Sequence, residues 1–278
     1  MGRGSIPILL ALATTLLFTV ATYAADQPKQ SACSGAIKKR TTEIAIDEKT
    51  EVTGNTTITF YDKYIKDHLQ VGVRSALRRL TDDDSGYRGG VYGSGTYLGT
   101  IYALDEKQNI TPLLFNISYY FNEYIGFELA YDRIEAETVA FNTSTQQDKT
   151  DGDIIISGPT LTLLAQYGNS TSFTPYAGVG IGYYSSTFDA DPEWTYSSEY
   201  NGAAYNHMDI NSVTGWHLTV GTKWLFSKNW ALDLSVQYVQ ADADATYTGY
   251  LNDEKYTTQT GHYPMDNVAL RLGITYQF

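Results

Sequence analysis

The last thirteen residues of the chain constrain its fold more strongly than any other stretch. In residues 266–278 apolar and polar positions alternate strictly, and the apolar positions are Val268, Leu270, Leu272, Ile274, Tyr276 and Phe278. A period of two places successive side chains on opposite faces of a β-strand. The pattern therefore predicts a strand with one apolar and one polar face, as found in water-soluble β-sandwiches and in barrels that cross a membrane.

Similar alternation recurs along the chain and predicts eight strands in all. They span residues 68–80, 110–122, 124–136, 154–167, 172–186, 213–226, 230–240 and 266–278. The connections after the second, fourth and sixth strands are short. The others are long polar loops, which include residues 140–153, residues 187–211 and a segment that ends at Pro264. Short turns on one side and long loops on the other are typical of outer-membrane barrels. An even number of strands puts both termini of the chain on the periplasmic side.

Aromatic residues cluster at the predicted strand ends beside the short turns: Tyr119, Phe121, Phe173, Trp224, Phe226, Trp230, Tyr276 and Phe278. Such rings prefer the boundary between lipid and water and form girdles around membrane barrels. A soluble lipocalin-like barrel would instead turn its apolar faces toward the lumen. We therefore predict an all-β fold, an eight-stranded antiparallel transmembrane β-barrel with short periplasmic turns and long extracellular loops.

The N-terminus has the three parts of a secretory signal peptide. Arg3 supplies a positive charge, residues 8–20 are apolar, and Thr22 and Ala24 fit the small-residue positions of a peptidase site. We expect cleavage after Ala24, with an uncleaved membrane anchor as the alternative. The predicted location is the bacterial outer membrane, with a periplasmic N-terminus. The predicted organisation is a signal peptide at 1–24, a periplasmic N-terminal extension at 25–67 and an outer-membrane barrel at 68–278.

The chain carries a formal net charge of −12, from 31 Asp and Glu residues against 19 Lys and Arg residues. Such acidity argues against nucleic acid as a partner. The predicted loops are acidic and could hold divalent cations that bridge to lipopolysaccharide phosphates. Acidic loops are more commonly just solvated, so we assign neither a metal site nor a cofactor. The single cysteine, Cys33, excludes an intrachain disulfide bond.

Three segments resemble the OmpW family of small outer-membrane proteins. They are residues 174–183 (TPYAGVGIGY), 228–238 (KNWALDLSVQY) and 270–278 (LRLGITYQF). The resemblance implies an eight-stranded barrel with a narrow, largely apolar channel for small hydrophobic molecules. The expected surroundings are outer-membrane lipid and lipopolysaccharide, and the terminal strand resembles the segment that the barrel assembly machinery reads. The extension before residue 68 and the acidic loops are longer than in the family pattern.

The polar faces of the predicted strands place eight titratable side chains in the lumen: Arg74, Arg78, Glu128, Asp132, His217, Lys223, Asp233 and Arg271. Charges buried away from water must be paired, and we expect Arg271 to pair with Asp233 on the neighbouring strand. Side chains roughly fill an eight-stranded barrel. The lumen therefore has two interpretations. One is a barrel plugged by ion pairs with a structural or adhesive role, and the other is a narrow, gated or laterally open path.

Two further groups of residues bear on a path for ligands. Three glycines occupy successive inward positions of one strand, which removes side chains from the lumen or lets a neighbouring group cross it. They are Gly178, Gly180 and Gly182. Four aromatic residues follow them and could build an apolar pocket at the outer mouth. They are Tyr184, Phe188, Trp194 and Tyr196.

The sequence contains no recognisable catalytic motif. Its four histidines, His68, His207, His217 and His262, lack His-x-x-x-His and His-Glu-x-x-His spacing, and no Gly-x-Ser-x-Gly motif is present. His207 and Asp209 are close in sequence, and we interpret them as a solvated loop pair rather than a catalytic dyad. We therefore expect no enzymatic activity.

Overall fold

The computed structural model describes residues 60–81, 97–98, 101–106, 110–142, 144–196 and 203–278. The predicted signal peptide and most of the predicted N-terminal extension lie outside the described residues. The described end of that extension contains one helix, α1 (Phe60–Tyr64). Among the described residues, no helix is long and apolar enough to cross a membrane.

Thirteen strands are described after α1. They are β1 (Leu69–Leu80), β2 (Ile101–Asp105), β3 (Ile110–Tyr120), β4 (Ile125–Asn142), β5 (Gln147–Lys149), β6 (Gly152–Gln166), β7 (Phe173–Ala190), β8 (Ala204–Ile210), β9 (Val213–Leu225), β10 (Trp230–Gln240), β11 (Asp242–Leu251), β12 (Glu254–Pro264) and β13 (Asn267–Gln277). A short helix, α2 (Pro192–Thr195), lies between β7 and β8. Eight strands close into one antiparallel barrel in the order β1, β3, β4, β6, β7, β9, β10 and β13, with β13 paired to β1. The predicted all-β fold, an eight-stranded antiparallel barrel, is confirmed.

Strand β13 joins the two ends of the barrel wall. Its register sets Ile274 opposite Val73 of β1 and opposite Leu232 of β10. Ile274 lies on one face of the strand and is 48% exposed, whereas Arg271 lies on the other face and is 4% exposed. Apolar side chains thus point out of the barrel and polar ones point in, which is the arrangement expected of strands surrounded by lipid.

Parts of the segments predicted to be long loops are strand. Most of residues 140–153 belong to β4, β5 and β6, so the predicted loop there is wrong for most of its length. β8, β11 and β12 form a separate three-stranded sheet within the other two predicted loops. These strands are rich in Thr and Tyr, which favour extended structure. They carry too few large apolar residues for the alternation of a lipid-facing strand to be visible in the sequence.

Tight turns connect the barrel strands at the opposite end. In the first of them the Asn122 Oδ1 atom accepts hydrogen bonds from the backbone N–H groups of Tyr124 and Ile125, both at 2.9 Å. This is an Asx-turn, which an asparagine side chain stabilises locally. Beside the turns, aromatic rings pack on the outer wall, as in the Trp230–Tyr276 pair with ring centroids 4.9 Å apart. The turns are residues 121–124, 167–172 and 226–229.

We predict that Gly180→Ala destabilises the barrel by about 1–3 kcal/mol, the usual cost of overpacking. An added Cβ would lie 2.3 Å from the Leu161 carbonyl oxygen and 2.5 Å from His217 Nε2. Gly168→Ala is the matched control, because the nearest atom to its added Cβ is 3.5 Å away. Urea unfolding in lipid vesicles measures both variants. Equal stability of the two variants would contradict a close approach of β7 to its neighbours.

Candidate functional site

A layer of charged side chains crosses the barrel interior, and we call it the charged layer. Each of its members is buried, with no more than 6% of its surface exposed. The members come from β1, β4, β9, β10 and β13, so the layer connects strands from all around the wall. They are Arg74, Arg78, Glu128, Asp132, Lys223, Asp233 and Arg271.

Arg74 is at the centre of this layer. Its two terminal nitrogens donate to both oxygens of Glu128, at 2.6 and 2.7 Å, and Nη2 also donates to Asp233 Oδ2 at 2.8 Å. Asp233 accepts a further hydrogen bond from the Tyr176 hydroxyl at 2.8 Å. A bidentate pair between arginine and a carboxylate is among the stronger and more directional polar contacts in proteins. One guanidinium therefore links β1, β4 and β10 across the lumen.

The position of a glycine explains how Arg74 reaches Asp233. Gly273 of β13 lies between them in the wall, opposite both residues in the strand register. A Cβ at Gly273 would lie 2.5 Å from Arg74 Cγ. The missing side chain lets the arginine cross β13 and bond to the strand beyond it.

The predicted pair between Arg271 and Asp233 is wrong. The register sets Arg271 opposite Ser235, while Asp233 is engaged by Arg74. Arg271 Nη2 instead donates to Gln237 Oε1 and lies 3.8 Å from Asp132 Oδ2. Periodicity assigns each residue to a face, but the contacts within that face depend on the stagger between strands.

The remaining lumen residues are also brought together. Arg78 forms an ion pair with Asp132 and donates to Asn267 Oδ1 at 3.0 Å. His217 is fully buried, with Nε2 2.8 Å from the Thr162 hydroxyl oxygen.

Lys223 lies nearer the short turns. Its ammonium donates to Gln70 Oε1 at 2.5 Å and to the Tyr120 hydroxyl at 3.0 Å. These neutral partners, and also Tyr176 and Gln237, are not among the eight predicted lumen residues. All four are buried, and the alternation in the sequence already places Gln70 and Gln237 on the inward faces of their strands.

The three glycines of β7 lie where side chains of neighbouring positions cross the strand. An added Cβ at Gly182 would lie 2.5 Å from the Tyr184 hydroxyl, and one at Gly178 would lie 2.7 Å from Leu164 Cδ2. Together with the contact of Gly180 to His217, these distances describe a wall surface that accommodates other side chains rather than an open passage.

The interior at the long-loop end is apolar, and we call it the apolar compartment. Its larger buried members are Leu80, Leu98, Ile101, Leu104, Ile134, Ile154, Ile156, Tyr184, Met208, Val213, Val239, Tyr263 and Met265. Phe188 and Trp194 pack against it, with ring centroids 5.3 Å apart. The structure thus joins three of the four predicted mouth residues, whereas Tyr196 is 60% exposed and lies outside the cluster.

Several compartment residues were missed because they lie in segments predicted as loops. Met208 belongs to β8, and Tyr263 belongs to β12. Ala241, Ala243 and Ala245 are all buried and alternate with polar residues. That short alternation was the one available signal in the sequence, and small side chains made it weak.

The wall between β3 and β4 is paired over only part of its length. In the described residues their ladder joins residues 116–120 to 126–130. Farther from the short turns, β3 continues along β1, while β4 continues along β6 and pairs with β2 at residues 137–140. Residues 110–115 and 131–136 therefore border an interruption in the wall, which we call the β3–β4 gap.

Local chemistry suits this interruption. Pro112 has no N–H to donate to a ladder, and its carbonyl oxygen accepts a hydrogen bond from the Ser75 hydroxyl at 2.6 Å. The buried side chains beside the gap include Leu114 and Ile134. The gap thus borders the apolar compartment, of which Ile134 is a member.

The exposed pair of His207 and Asp209 is separate from the barrel interior. His207 Nε2 lies 3.2 Å from Asp209 Oδ1, and 57% and 71% of the two side chains are exposed. Such solvated surroundings lack the buried orienting group of a catalytic dyad. No group of three potential metal-ligating His, Cys, Asp or Glu side chains is found among the described residues.

Comparison with known proteins agrees with this architecture. The profile of a family described as "Outer membrane protein beta-barrel domain" matches residues 75–278. Outer membrane protein W of Salmonella typhimurium is 27% identical over 156 residues, which make up 56% of this chain and 69% of that protein.

Two solved structures are similar in fold. OprG from Pseudomonas aeruginosa superimposes with a TM-score of 0.58 at 20% identity, over 78% of this chain and 98% of OprG. AlkL, determined in lipid bilayers, superimposes with a TM-score of 0.52 at 18% identity, over 86% of this chain and 97% of AlkL. The chain belongs to the outer-membrane β-barrel domain family, and the resemblance to OmpW expected from its motifs is confirmed.

Proposed function

We propose that this protein takes small hydrophobic molecules into its apolar compartment and releases them sideways through the β3–β4 gap into the membrane. In this proposal the short-turn end faces the periplasm and the apolar compartment faces the cell exterior. The observation that most strongly supports this proposal is the position of the gap. It lies beside the apolar compartment, on a wall that is closed by a ladder nearer the charged layer.

The charged layer argues against a straight path along the barrel axis. A hydrophobic solute would have to separate Arg74 from Glu128 and Asp233, whose bonds it cannot replace. Leaving a buried ion without its partner costs about 3–5 kcal/mol. An apolar molecule in the compartment therefore meets a strongly unfavourable barrier toward the short turns.

The gap offers a less costly exit. Backbone hydrogen bonds do not have to be broken to separate strands that share no ladder, whereas elsewhere each lost bond leaves polar groups exposed to lipid. Leu114 and Ile134 present apolar surface on the inner side of the gap. Asp132, which also borders the gap on its inner side, is paired with Arg78. A hydrophobic solute that leaves beside Leu114 and Ile134 therefore does not have to separate the ion pairs of Arg74.

The compartment is filled with side chains, so a solute must displace some of them. Met208 and Met265 are buried within it, and methionine adapts its shape readily because its side chain is unbranched. We propose that these residues move aside for the solute.

A plugged barrel without transport activity is the second candidate. The dense pairing of the charged layer favours it, since paired charges make a stable partition. In that role the acidic strands and loops at the long-loop end would meet the environment directly. The predicted contacts with lipopolysaccharide and the assembly machinery, and the absence of enzymatic activity, stay predictions under both candidates.

We predict that Arg74→Ala lowers the free energy of unfolding by about 3–5 kcal/mol, because it leaves Glu128 and Asp233 buried without their cation. It should also raise ion conductance in planar bilayers, since it removes the centre of the charged layer. Arg133→Ala is the matched control, because the Arg133–Glu135 pair involves an arginine side chain that is 48% exposed and exposed pairs contribute about 0–1 kcal/mol. Equal effects of the two substitutions on stability and conductance would contradict a partitioning role for Arg74.

Crosslinking across the gap tests the lateral path. Extending the register of the β3–β4 ladder sets Leu113 opposite Arg133, both on the outer face. We predict that bridging the L113C/R133C variant with a short bismaleimide abolishes most uptake of a hydrophobic solute in a deletion strain. The reason is that the bridge spans the only exit in this proposal.

The matched control bridges Ile117 and Leu129, which are paired in the ladder and both exposed. Both variants carry Cys33→Ser, so that only the introduced thiols react. I117C/L129C should transport equally well with and without the bridge. Unchanged uptake by bridged L113C/R133C would rule out the lateral path, and unchanged uptake after deletion of the protein would favour the plugged barrel.

A further inference from the structure

A partly open cavity of about 360 Å³ lies at the short-turn end, on the other side of the charged layer from the apolar compartment. Its lining includes the buried residues Gln70, Tyr120 and Lys223, and the acidic residues Asp67 and Glu123, which are exposed. The function proposed above does not use this cavity.

Lys223 is the unusual member of the lining. It is 6% exposed, and its two hydrogen-bond acceptors, Gln70 and Tyr120, are neutral. The ammonium also lies 4.9 Å from the centroid of the Tyr120 ring and 5.4 Å from that of Tyr176. In the part of the chain that the structure describes, no carboxylate oxygen lies within 4.0 Å of Nζ. An ammonium has three N–H donors, so one remains after these two bonds.

The charges of the layer do not balance. Its four cationic side chains face three carboxylates: Arg74, Arg78, Lys223 and Arg271 against Glu128, Asp132 and Asp233. Arg74 engages two of the carboxylates, and Arg78 and Arg271 share the third. Lys223 is therefore the cation left over. A buried charge without a counterion is unfavourable, so an anion beside Lys223 would complete the layer.

Another polar group in the same lining is also unsatisfied. Thr275 lines the cavity, and its buried hydroxyl has no hydrogen-bond partner among the described residues. A carboxylate has two oxygens that accept hydrogen bonds. Lys223 and Thr275 each have one donor available in the lining of this cavity.

We propose that this cavity binds a small monocarboxylate with a short hydrocarbon chain, held by its carboxylate at Lys223. A single negative charge matches the single excess cation, while Asp67 and Glu123 would repel anions of higher charge. Leu225 and Ala231 also line the cavity and offer apolar surface for the chain. The site is distinct from the apolar compartment, and its test is independent of the lateral path.

Calorimetric titration with butanoate tests the proposal on the full chain refolded in nonionic detergent. We expect Lys223→Gln to weaken butanoate binding at least about tenfold, since a hydrogen bond to a charged group contributes about 1.5–3 kcal/mol. Lys223→Arg should bind within about threefold of the unaltered protein, because it keeps the charge. Lys228→Gln is the matched control. Lys228 is exposed in a short turn, and its substitution removes the same charge from the same end of the barrel.

Two further ligands separate the charge from the shape. Butanamide has the same size without the charge and should bind at least about tenfold more weakly than butanoate. Inorganic phosphate should also bind more weakly, because of the acidic rim. This comparison uses the unaltered chain, so it decides the question even if Lys223→Gln does not fold. The proposal is overturned if the unaltered protein does not bind butanoate, or if it binds butanamide or phosphate as tightly as butanoate. It is also overturned if Lys223→Gln binds butanoate with full affinity.

Discussion

The interior of this barrel depends on the contacts of one guanidinium, that of Arg74. It bonds to both oxygens of Glu128 and to Asp233, and thereby joins three strands that are not neighbours in the wall. Eight strands enclose too little space for these charges to be hydrated freely, so the three arginines of the charged layer are held by carboxylates inside the barrel. Gly273 makes the central contact possible, because a side chain there would meet Arg74.

This network divides the lumen into two spaces of different chemistry. Toward the long-loop end the interior is apolar, and its wall is interrupted between β3 and β4. Toward the short turns a cavity is bounded by Lys223, the cation for which the described residues supply no carboxylate partner. The two proposals follow from this division. In the first proposal an apolar solute is kept from the charged layer and leaves into the lipid. In the second, a small anion binds Lys223 from the short-turn end.

Much of the barrel could be predicted because strand periodicity is a local property. The alternation in residues 266–278 assigned Arg271 to the inward face, where it is buried. It could not assign its partner, because the stagger of strands far apart in sequence sets Ser235 rather than Asp233 opposite it. The β3–β4 gap was hidden for the same reason. Pro112 shows that one backbone N–H is missing from β3. Only the assembled barrel shows that the ladder between β3 and β4 does not reach that residue.

The apolar compartment was less predictable, because part of its lining comes from strands with little periodic signal. Met208 and Tyr263 lie in polar stretches of the second sheet, and both are buried against residues of the barrel strands. Of the predicted mouth residues, Tyr184 entered the core because it continues the inward face of β7, whereas Tyr196 lies past helix α2. Local sequence patterns do not indicate how the sheet of β8, β11 and β12 packs against the barrel strands.

The most direct test of a divided lumen is photolabelling with an uncharged aliphatic diazirine, followed by mapping of the labelled residues. Division by the charged layer predicts labels in the apolar compartment and beside the gap, at residues such as Ile156, Ile134 and Leu114. It also predicts no label on Glu128 and Asp233, which are paired with Arg74 inside the charged layer. Labelling of these two residues to the same extent as the compartment would contradict the account, because it would mean that apolar molecules enter the charged layer.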